Sequence, residues 1–398
     1  MLTVEEALDR LLRDLAVTEP ERVSLGEALG RVPTSEPIQA THDVPPFTNS
    51  AMDGFALRSA DGVERRRLVG ESRAGGPAAP AVEPGTAVRV MTGAPMPDGA
   101  DSVVPIEEGS EADGWLAVSR PPASGAHVRA AGHDVLAGTA LALPAAPISA
   151  SVIGLLAAMG HADVEVRRRP RVAILSTGDE LAPVGATLGP RQIHDANGPA
   201  LAAAVSEAGS VPLLLEPARD DPAEIEDRVR QGVLAGEMLL VSGGVSVGDH
   251  DHVRGVIERI GSLEFWRIAV QPGKPLAFGR VEGRPVMGLP GNPVSALVTF
   301  ELFVRPMLRR MLGMAGDGRA RVAARVDEAL AKDPARRAYL RVRVCADGDG
   351  YRAVSAGGQA SSQLLPLATA NALLVVPEGL PATRPGATYE AIVTGAIE

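Results

Sequence analysis

The stretch Arg171-Val172-Ala173-Ile174-Leu175-Ser176-Thr177-Gly178-Asp179-Glu180 reads as a short apolar strand, Val172 to Leu175, that runs directly into a polar, glycine-bearing loop. An apolar run this short between polar ends fits a strand buried on both faces. The same rhythm recurs downstream. Pro199 to Ala208 reads as a helix stopped by Gly209, and Val211 to Leu215 as a second strand. Asp221 caps the next helix, with Pro222 at its first position and Glu224 in its first turn. Glu237 to Ser242 is a third strand, Asp251 to Ile260 a helix, and Phe265 to Val270 a fourth strand. Pro285 to Leu289 follows as a short strand, and Asn292 with Pro293 opens a helix running to about Met311. Strands and helices alternating at these lengths predict a parallel sheet covered on both faces.

The flanks have other textures. Thr3 and Glu6 have capping-box spacing ahead of a stripe of Val4, Leu8, Leu11, Leu12 and Leu15. From about Glu19 to Leu143 short strands broken by Gly and Pro, such as Ala87 to Met91 and Ser102 to Pro105, predict a small β-rich unit. Ile148 to Met159 reads as a helix ended by Gly160. After Gly316 come Arg319 to Val326, Tyr339 to Cys345, Tyr351 to Val354, Leu373 to Pro377 and Tyr389 to Thr394, which suggest a small closed or nearly closed barrel. The expected organisation is therefore multidomain α/β plus β. A helical or linker part comprises 1–18 with 144–168, an inserted β-rich domain 19–143, a central α/β domain 169–315 and a C-terminal β-barrel 316–398.

A chain of 398 residues is long for one core, so about two to four domains are expected. A net charge of −10 and 3% aromatics argue against nucleic acid and against an acidic membrane surface as the main partner. The sole cysteine, Cys345, excludes a disulfide framework and a multi-thiolate zinc site; in its alternating strand it is expected to pack in the core. Met1 to Leu15 carries Glu5, Glu6, Asp9 and Asp14, unlike a signal peptide, and the apolar run Ile148 to Met159 is too short for a membrane helix. The cytoplasm is the expected compartment.

In an open parallel sheet, ligands bind beyond the carboxyl ends of the strands. The segments expected there are Ser176-Thr177-Gly178-Asp179-Glu180, Asp220-Asp221, Ser242-Gly243-Gly244-Val245-Ser246-Val247-Gly248-Asp249, Gln271-Pro272-Gly273-Lys274-Pro275 and Leu289-Pro290-Gly291-Asn292-Pro293. Such loops can offer backbone N–H groups to phosphate or oxyanion oxygens. Asp179, Glu180, Asp249 and Asp251 are hard oxygen ligands suited to Mg²⁺, and Lys274 is a point charge for an anion. Taken singly, each has a plainer reading: a Gly-Gly turn, a helix cap at Asp220 or Asp221, a solvated lysine. His250 and His252 flank Asp251, but no further His or Cys cluster supports a transition-metal site. There is no nucleophile elbow, P-loop or dinucleotide fingerprint.

Six stretches, Asp43-Val44-Pro45-Pro46-Phe47-Thr48-Asn49-Ser50-Ala51-Met52-Asp53-Gly54-Phe55-Ala56, Met91-Thr92-Gly93-Ala94-Pro95, Ser176 to Leu181, Ser242 to Gly248, Pro272 to Pro275 and Gly288 to Ser295, resemble the motifs of the molybdopterin molybdenumtransferases, the family of the gephyrin E domain. The resemblance covers nearly the whole chain. It implies a central domain similar to molybdopterin adenylyltransferase, a C-terminal barrel, and a homodimer whose cleft combines the α/β domain of one subunit with the Asp53 and Thr92 region of the other. It implies Mg²⁺-dependent insertion of molybdenum from molybdate into adenylylated molybdopterin with release of AMP, and possible contact with the adenylyltransferase. By the same resemblance Asp53, Thr92, Glu180, Asp220 and Asp251 are the candidate catalytic residues. Arg129, Asp134, Ser176, Thr177, Gly178, Asn197, Ser242, Gly243, Gly244, Ser246, Pro272, Lys274, Pro290, Asn292, Pro293 and Ser361 are the candidate cofactor contacts.

The sequence departs from the family pattern at Ala130, Ala131, His133, Ala196, Gln271 and Ala360. Three of these, Ala130, Ala131 and Gln271, replace cations, which implies altered anion contacts around an intact carboxylate set. Adenylylation of the pterin would suit the Gly-Gly loop and acidic pair, but the Ser50-to-Asp53 region and the barrel set the chain apart from that class. A non-catalytic scaffold fits less well with carboxylates at Asp53, Glu180 and Asp251.

Overall fold

The computed structural model describes residues 1–244 and 252–397. They form two compact units, Met1–Glu21 with Arg167–Glu398, and Arg22–Val166.

In the first unit Arg171–Ser176 (β1), Val211–Leu214 (β2), Met238–Ser242 (β3), Ser262–Trp266 (β4), Ala277–Val281 (β5) and Arg284–Leu289 (β6) make a sheet of order β2-β1-β3-β6-β5-β4. The first four in that order are parallel, whereas β5 and β4 run antiparallel at one edge. Successive side chains of a strand point to opposite faces, and both faces are covered. Val172, Ile174, Met238 and Leu240 pack with Leu201 and Val205 of helix α1 (Asn197–Glu207). Ala173, Leu175, Leu239 and Val241 pack with Ile225 and Val229 of α2 (Pro222–Ala235) and Val253 and Val256 of α3 (His252–Ile260). With both faces closed, the strand ends are the part of the sheet left for a ligand.

The antiparallel edge departs from the expected all-parallel sheet. Phe265 to Val270 is not one strand: β4 ends at Trp266, Arg267 takes φ 133, and Val270–Gln271 pairs instead with Arg337–Ala338 of the barrel. The unexpected β5 forms a hairpin with β6 through Glu282 and Gly283, both at positive φ (51 and 76). Two successive positive-φ residues match the right-handed twist of the strands they join.

The helix Val4–Arg13 has the expected capping box, with the Glu6 N–H donating to Thr3 Oγ1 (3.1 Å) and the Thr3 N–H to Glu6 Oε2 (2.9 Å). The sequence reading groups this helix with 144–168. In the structure Val4, Ala7 and Leu11 are buried in the same core as the sheet, while Arg22–Val166 forms the other unit.

Arg321–Val326 (β7), Arg337–Asp347 (β8), Gly350–Ser355 (β9), Ala372–Val376 (β10) and Ala387–Val393 (β11) close into a five-stranded barrel in the order β8-β9-β7-β11-β10-β8. Leu340, Val342, Val344 and Leu374 fill it. Cys345 follows Val344 on the opposite face of β8 and is only half-buried, so it is not a core residue.

In the second unit Gly54–Leu57 lies between Thr86–Val90 and Ser102–Pro105 in a six-stranded sheet. A side chain at Gly54 would place its Cβ 2.0 Å from the Val104 carbonyl oxygen, so only glycine fits. The helix Ala150–Ala158 is capped by Ser149 and followed by Gly160 at φ 90.

Helix α4 (Pro293–Thr299) passes through a π-helical turn, Phe300–Val304, into α5 (Arg305–Met311). Glu301 on that turn accepts hydrogen bonds from Arg305 (2.8 and 2.8 Å) and from Arg319 (2.9 and 2.9 Å). Burial alone would raise its carboxyl, but the Arg319 and then the Arg305 hydrogen bonds outweigh that and hold it below the ordinary range. A lowered folded-state pKa means that the stabilisation is complete at neutral pH and is lost as acidification passes through that pKa. Glu301→Ala should leave buried Arg305 without its main partner and cost about 3–5 kcal/mol at pH 7 by urea unfolding. The gap from the parent protein should narrow below pH ~4; a gap unchanged by acid would contradict this account.

Candidate functional site

A cleft of about 560 Å³ opens at the carboxyl ends of β1, β3 and β6. It is lined by Ser176, Thr177, Gly178 and Glu180 after β1, by Ser242, Gly243 and Gly244 after β3, and by Pro290, Asn292 and Pro293 after β6. Asp220 and Asn197 complete the set of predicted residues that the fold brings together. Pro275 and Gly291 line it from segments expected at the strand ends, and Leu181, Ile193, His194, Asp195 and Ala196 join them without being candidate site residues in the sequence reading. The signal for Ile193 and His194 was faint, because their strand is a two-residue parallel pairing with Leu181–Ala182.

The loops nest by direct contact. Gly243 has φ 101, and a Cβ there would lie 2.6 Å from Thr177 O and 2.8 Å from Thr177 Oγ1. Asn197 is the tie among three segments: its Nδ2 donates to Ser242 Oγ (2.7 Å) and to the Gly291 carbonyl (2.7 Å). Asp195 Oδ1 in turn accepts from the N–H groups of Asn197 and Gly198 (3.0 Å each), which caps α1 despite Ala196. Asn292 Nδ2 reaches Ser361 Oγ (3.2 Å), so the barrel loop adjoins the cleft's rim.

Loop N–H groups are less available than expected. Those of Thr177, Gly178 and Gly243 donate to Ser242 O, Ala218 O and Leu289 O. Of the residues that line the cleft, Ser176, Thr177 and Asn197 each leave a buried oxygen (Oγ, Oγ1 and Oδ1) without a hydrogen-bond partner among the described residues. Such atoms are costly unless something binds them. The cleft therefore presents side-chain oxygens and three carboxylates, Glu180, Asp220 and Asp195, the last already engaged at the start of α1.

Other candidates sit elsewhere. Asp179 does not line the cleft; its Oδ1 accepts the Asp220 N–H (3.2 Å). Asp221 is a helix cap, accepting from the N–H groups of Ala223 (3.0 Å) and Glu224 (2.9 Å). Pro272 and Lys274 are outside the lining, and the Lys274 charge faces Asp333. The Asp333 N–H donates to Gln271 Oε1 (2.8 Å), a bond that a lysine at 271 could not accept. Behind the Ser361 loop, Arg341 is buried and has no carboxylate partner among the described residues, its Nη2 donating to Gly358 O (3.0 Å) and Ala360 O (3.1 Å). The burial pushes its pKa down. Ser246, Asp249 and Asp251, with His250, lie outside the described residues. Among the described residues no three His, Cys, Asp or Glu side chains converge as a metal site.

In the second unit Asp53 and Thr92 do meet. Asp53 Oδ1 accepts the Thr92 N–H (2.7 Å) and its hydroxyl (3.0 Å), and these bonds, the backbone one first, hold the exposed carboxyl below its usual range. Arg129 lies on a two-residue strand paired with Asn49–Ser50, and the Asp134 N–H donates to Val44 O (2.9 Å).

A polar, carboxylate-bearing cleft at the carboxyl edge of a parallel sheet defines an α/β protein with its candidate ligand site at the strand ends. Residues 2–160 match the MoeA N-terminal region (domain I and II), residues 173–310 the probable molybdopterin binding domain, and residues 323–393 the MoeA C-terminal region (domain IV). The chain is 36% identical to molybdopterin molybdenumtransferase 2 of Mycobacterium tuberculosis, over 95% of this chain and 96% of that one. It is 38% identical to the molybdopterin molybdenumtransferase of Haemophilus influenzae, over 79% and 78%. A solved molybdopterin biosynthesis MoeA protein of Pyrococcus horikoshii superposes with a TM-score of 0.83 at 31% identity, over 100% of both chains. The chain belongs to the MoeA family of molybdopterin molybdenumtransferases, and it is an enzyme of molybdenum cofactor biosynthesis. No helix among the described residues is long and apolar enough to cross a membrane.

Two outcomes follow from this geometry. Asn197→Ala should cost roughly 1–3 kcal/mol, the penalty for stranding its partners, and should speed amide exchange in residues 242–244 and 289–292. Unchanged exchange there would remove Asn197 as the tie. Thr92→Val deletes one of the two bonds to Asp53, so the Asp53 carboxyl should titrate higher by NMR while staying below a free carboxyl. No upward movement would mean that the hydroxyl does not hold it.

Proposed function

We propose that this enzyme inserts molybdenum from molybdate into adenylylated molybdopterin and releases AMP, with Mg²⁺ as its cofactor. The observation that carries this reading is the roughly 560 Å³ cleft walled by Glu180, Asp220 and the unpartnered oxygens of Ser176, Thr177 and Asn197. All are oxygen donors, the chemistry Mg²⁺ selects, so the residues present fit the ion. Glu180 and Asp220 would hold it, joined in our proposal by Asp249 and Asp251. When bound, Mg²⁺ screens the charge of the phosphoanhydride.

The protein's own groups divide the remaining work. The Ser176 and Thr177 hydroxyls donate to phosphate oxygens, and Asn197 keeps the three loops at fixed spacing. Ser361, hydrogen-bonded to Asn292 over the uncompensated charge of Arg341, offers a place for the molybdate oxygens. Asp53, its carboxyl held below the usual range by Thr92, is proposed to act from the partner subunit of a homodimer. We also propose that the active species is a homodimer in the cytoplasm and that an adenylyltransferase supplies the substrate.

Purified protein given adenylylated molybdopterin, Mg²⁺ and molybdate should release AMP. Chelating the metal should abolish that release, and Glu180→Ala or Asp53→Ala should lower kcat by about 10²-fold or more. Absence of AMP under complete conditions would overturn the reaction. Release that survives both substitutions together would overturn the choice of residues.

A further inference from the structure

The cleft is short of positive charge for the substrate proposed above. Among the described residues its walls carry Glu180, Asp195 and Asp220 and no lysine or arginine. Gln271 is spent on the Asp333 N–H, and Lys274 lies off the lining. A phosphoanhydride gains most from a fixed guanidinium that can offer paired N–H groups to its oxygens.

One such group adjoins the cleft. Asp179, Glu180, Gly189, Pro190, Arg191 and Gln192 line a shallow depression that shares Glu180 with the cleft wall. Arg191 is exposed and, among the described residues, has no ion pair or side-chain hydrogen bond, although two carboxylates border the same depression. Hydrogen bonds of the neighbouring residues hold the turn that carries it. The Gln192 N–H donates to Gly189 O (3.2 Å) and the Gly189 N–H to Gln192 Oε1 (2.9 Å), closing a turn. The Ile193 N–H donates to Glu180 O (2.9 Å) and the Asp195 N–H to Ala182 O (3.2 Å), which binds the turn to the segment carrying Glu180. Arg191 itself has φ 68, in the left-handed region that a residue with a Cβ enters at a cost and glycine enters freely. Fold stability would thus favour glycine at 191, where the chain instead carries an unpaired cation.

We propose that Arg191 is a substrate-anchoring residue: its guanidinium, held on the 189–192 turn beside Glu180, binds phosphate oxygens at the mouth of the cleft. This rests on the reaction proposed above. The test compares Arg191→Gly, Arg191→Lys and a control, Arg169→Ala, an exposed arginine of the same unit. The readouts are KM and kcat for AMP release, calorimetric binding of inorganic pyrophosphate with Mg²⁺, and thermal unfolding.

Arg191→Gly should raise KM and weaken pyrophosphate binding by about 10- to 100-fold, the worth of a charge-assisted hydrogen bond. Its kcat should stay within about twofold, and its Tm should be unchanged or higher because glycine relaxes the turn. Arg191→Lys should recover part of the binding, and Arg169→Ala should match the parent protein. Unchanged KM and pyrophosphate affinity in Arg191→Gly would overturn the inference. So would a fall in Tm with binding lost equally in Arg191→Lys, which marks a structural role. A parent protein that binds pyrophosphate but releases no AMP would instead overturn the reaction, and the binding comparison would still decide Arg191.

Discussion

A parallel sheet buried on both faces can show its polar backbone to solvent only at its ends. That constraint governs the first unit. Val172 and Ile174 go to one face, Ala173 and Leu175 to the other, and helices seal both. The chain must turn at the carboxyl edge, and three of those turns are drawn into contact by the Asn197 amide and by the missing side chain at Gly243. The cleft is the space that remains between loops so held.

The same contacts explain what kind of site it is. Nested loops satisfy one another's N–H groups, so recognition passes to hydroxyl, amide and carboxylate oxygens. A site of that composition has affinity for cations and for ligands that arrive with them. Positive charge must come from outside the nest, as it does with Arg341 behind the Ser361 loop. Division of labour between an oxygen-rich floor and cations at the margin suits a ligand that carries both phosphate and metal.

Much of this was legible in the sequence, for physical reasons that differ by element. Val172 to Leu175 and Met238 to Ser242 announce themselves because complete burial demands uninterrupted apolar residues. Asp221 with Pro222 and Thr3 with Glu6 are caps whose chemistry is local. The antiparallel β4–β5 edge was hidden, because Arg267 breaks the backbone inside what looks like one strand and because Glu282-Gly283 is an unobtrusive turn pair. The roles within the site were harder still. Asp179 and Asp220 are near neighbours in the fold, yet one carboxylate is consumed by the other's N–H. The dual bond of Asn197 joins residues far apart along the chain, which no spacing rule reveals. Four of the motifs that resemble the family supply residues to the cleft lining, while geometry alone separates Glu180, which lines it, from Asp179, which does not.

Gln271 carries a consequence for how such a chain can change over time. Its side-chain carbonyl holds the Asp333 N–H, so the loop before Pro272 is fastened to the start of the barrel by a group that must accept a hydrogen bond. A lysine there would supply a donor where an acceptor is needed and leave the Asp333 N–H without this partner. Position 271 is thus tied to the barrel: a residue there without an acceptor gives up this fastening unless Asp333 and its neighbours move with it.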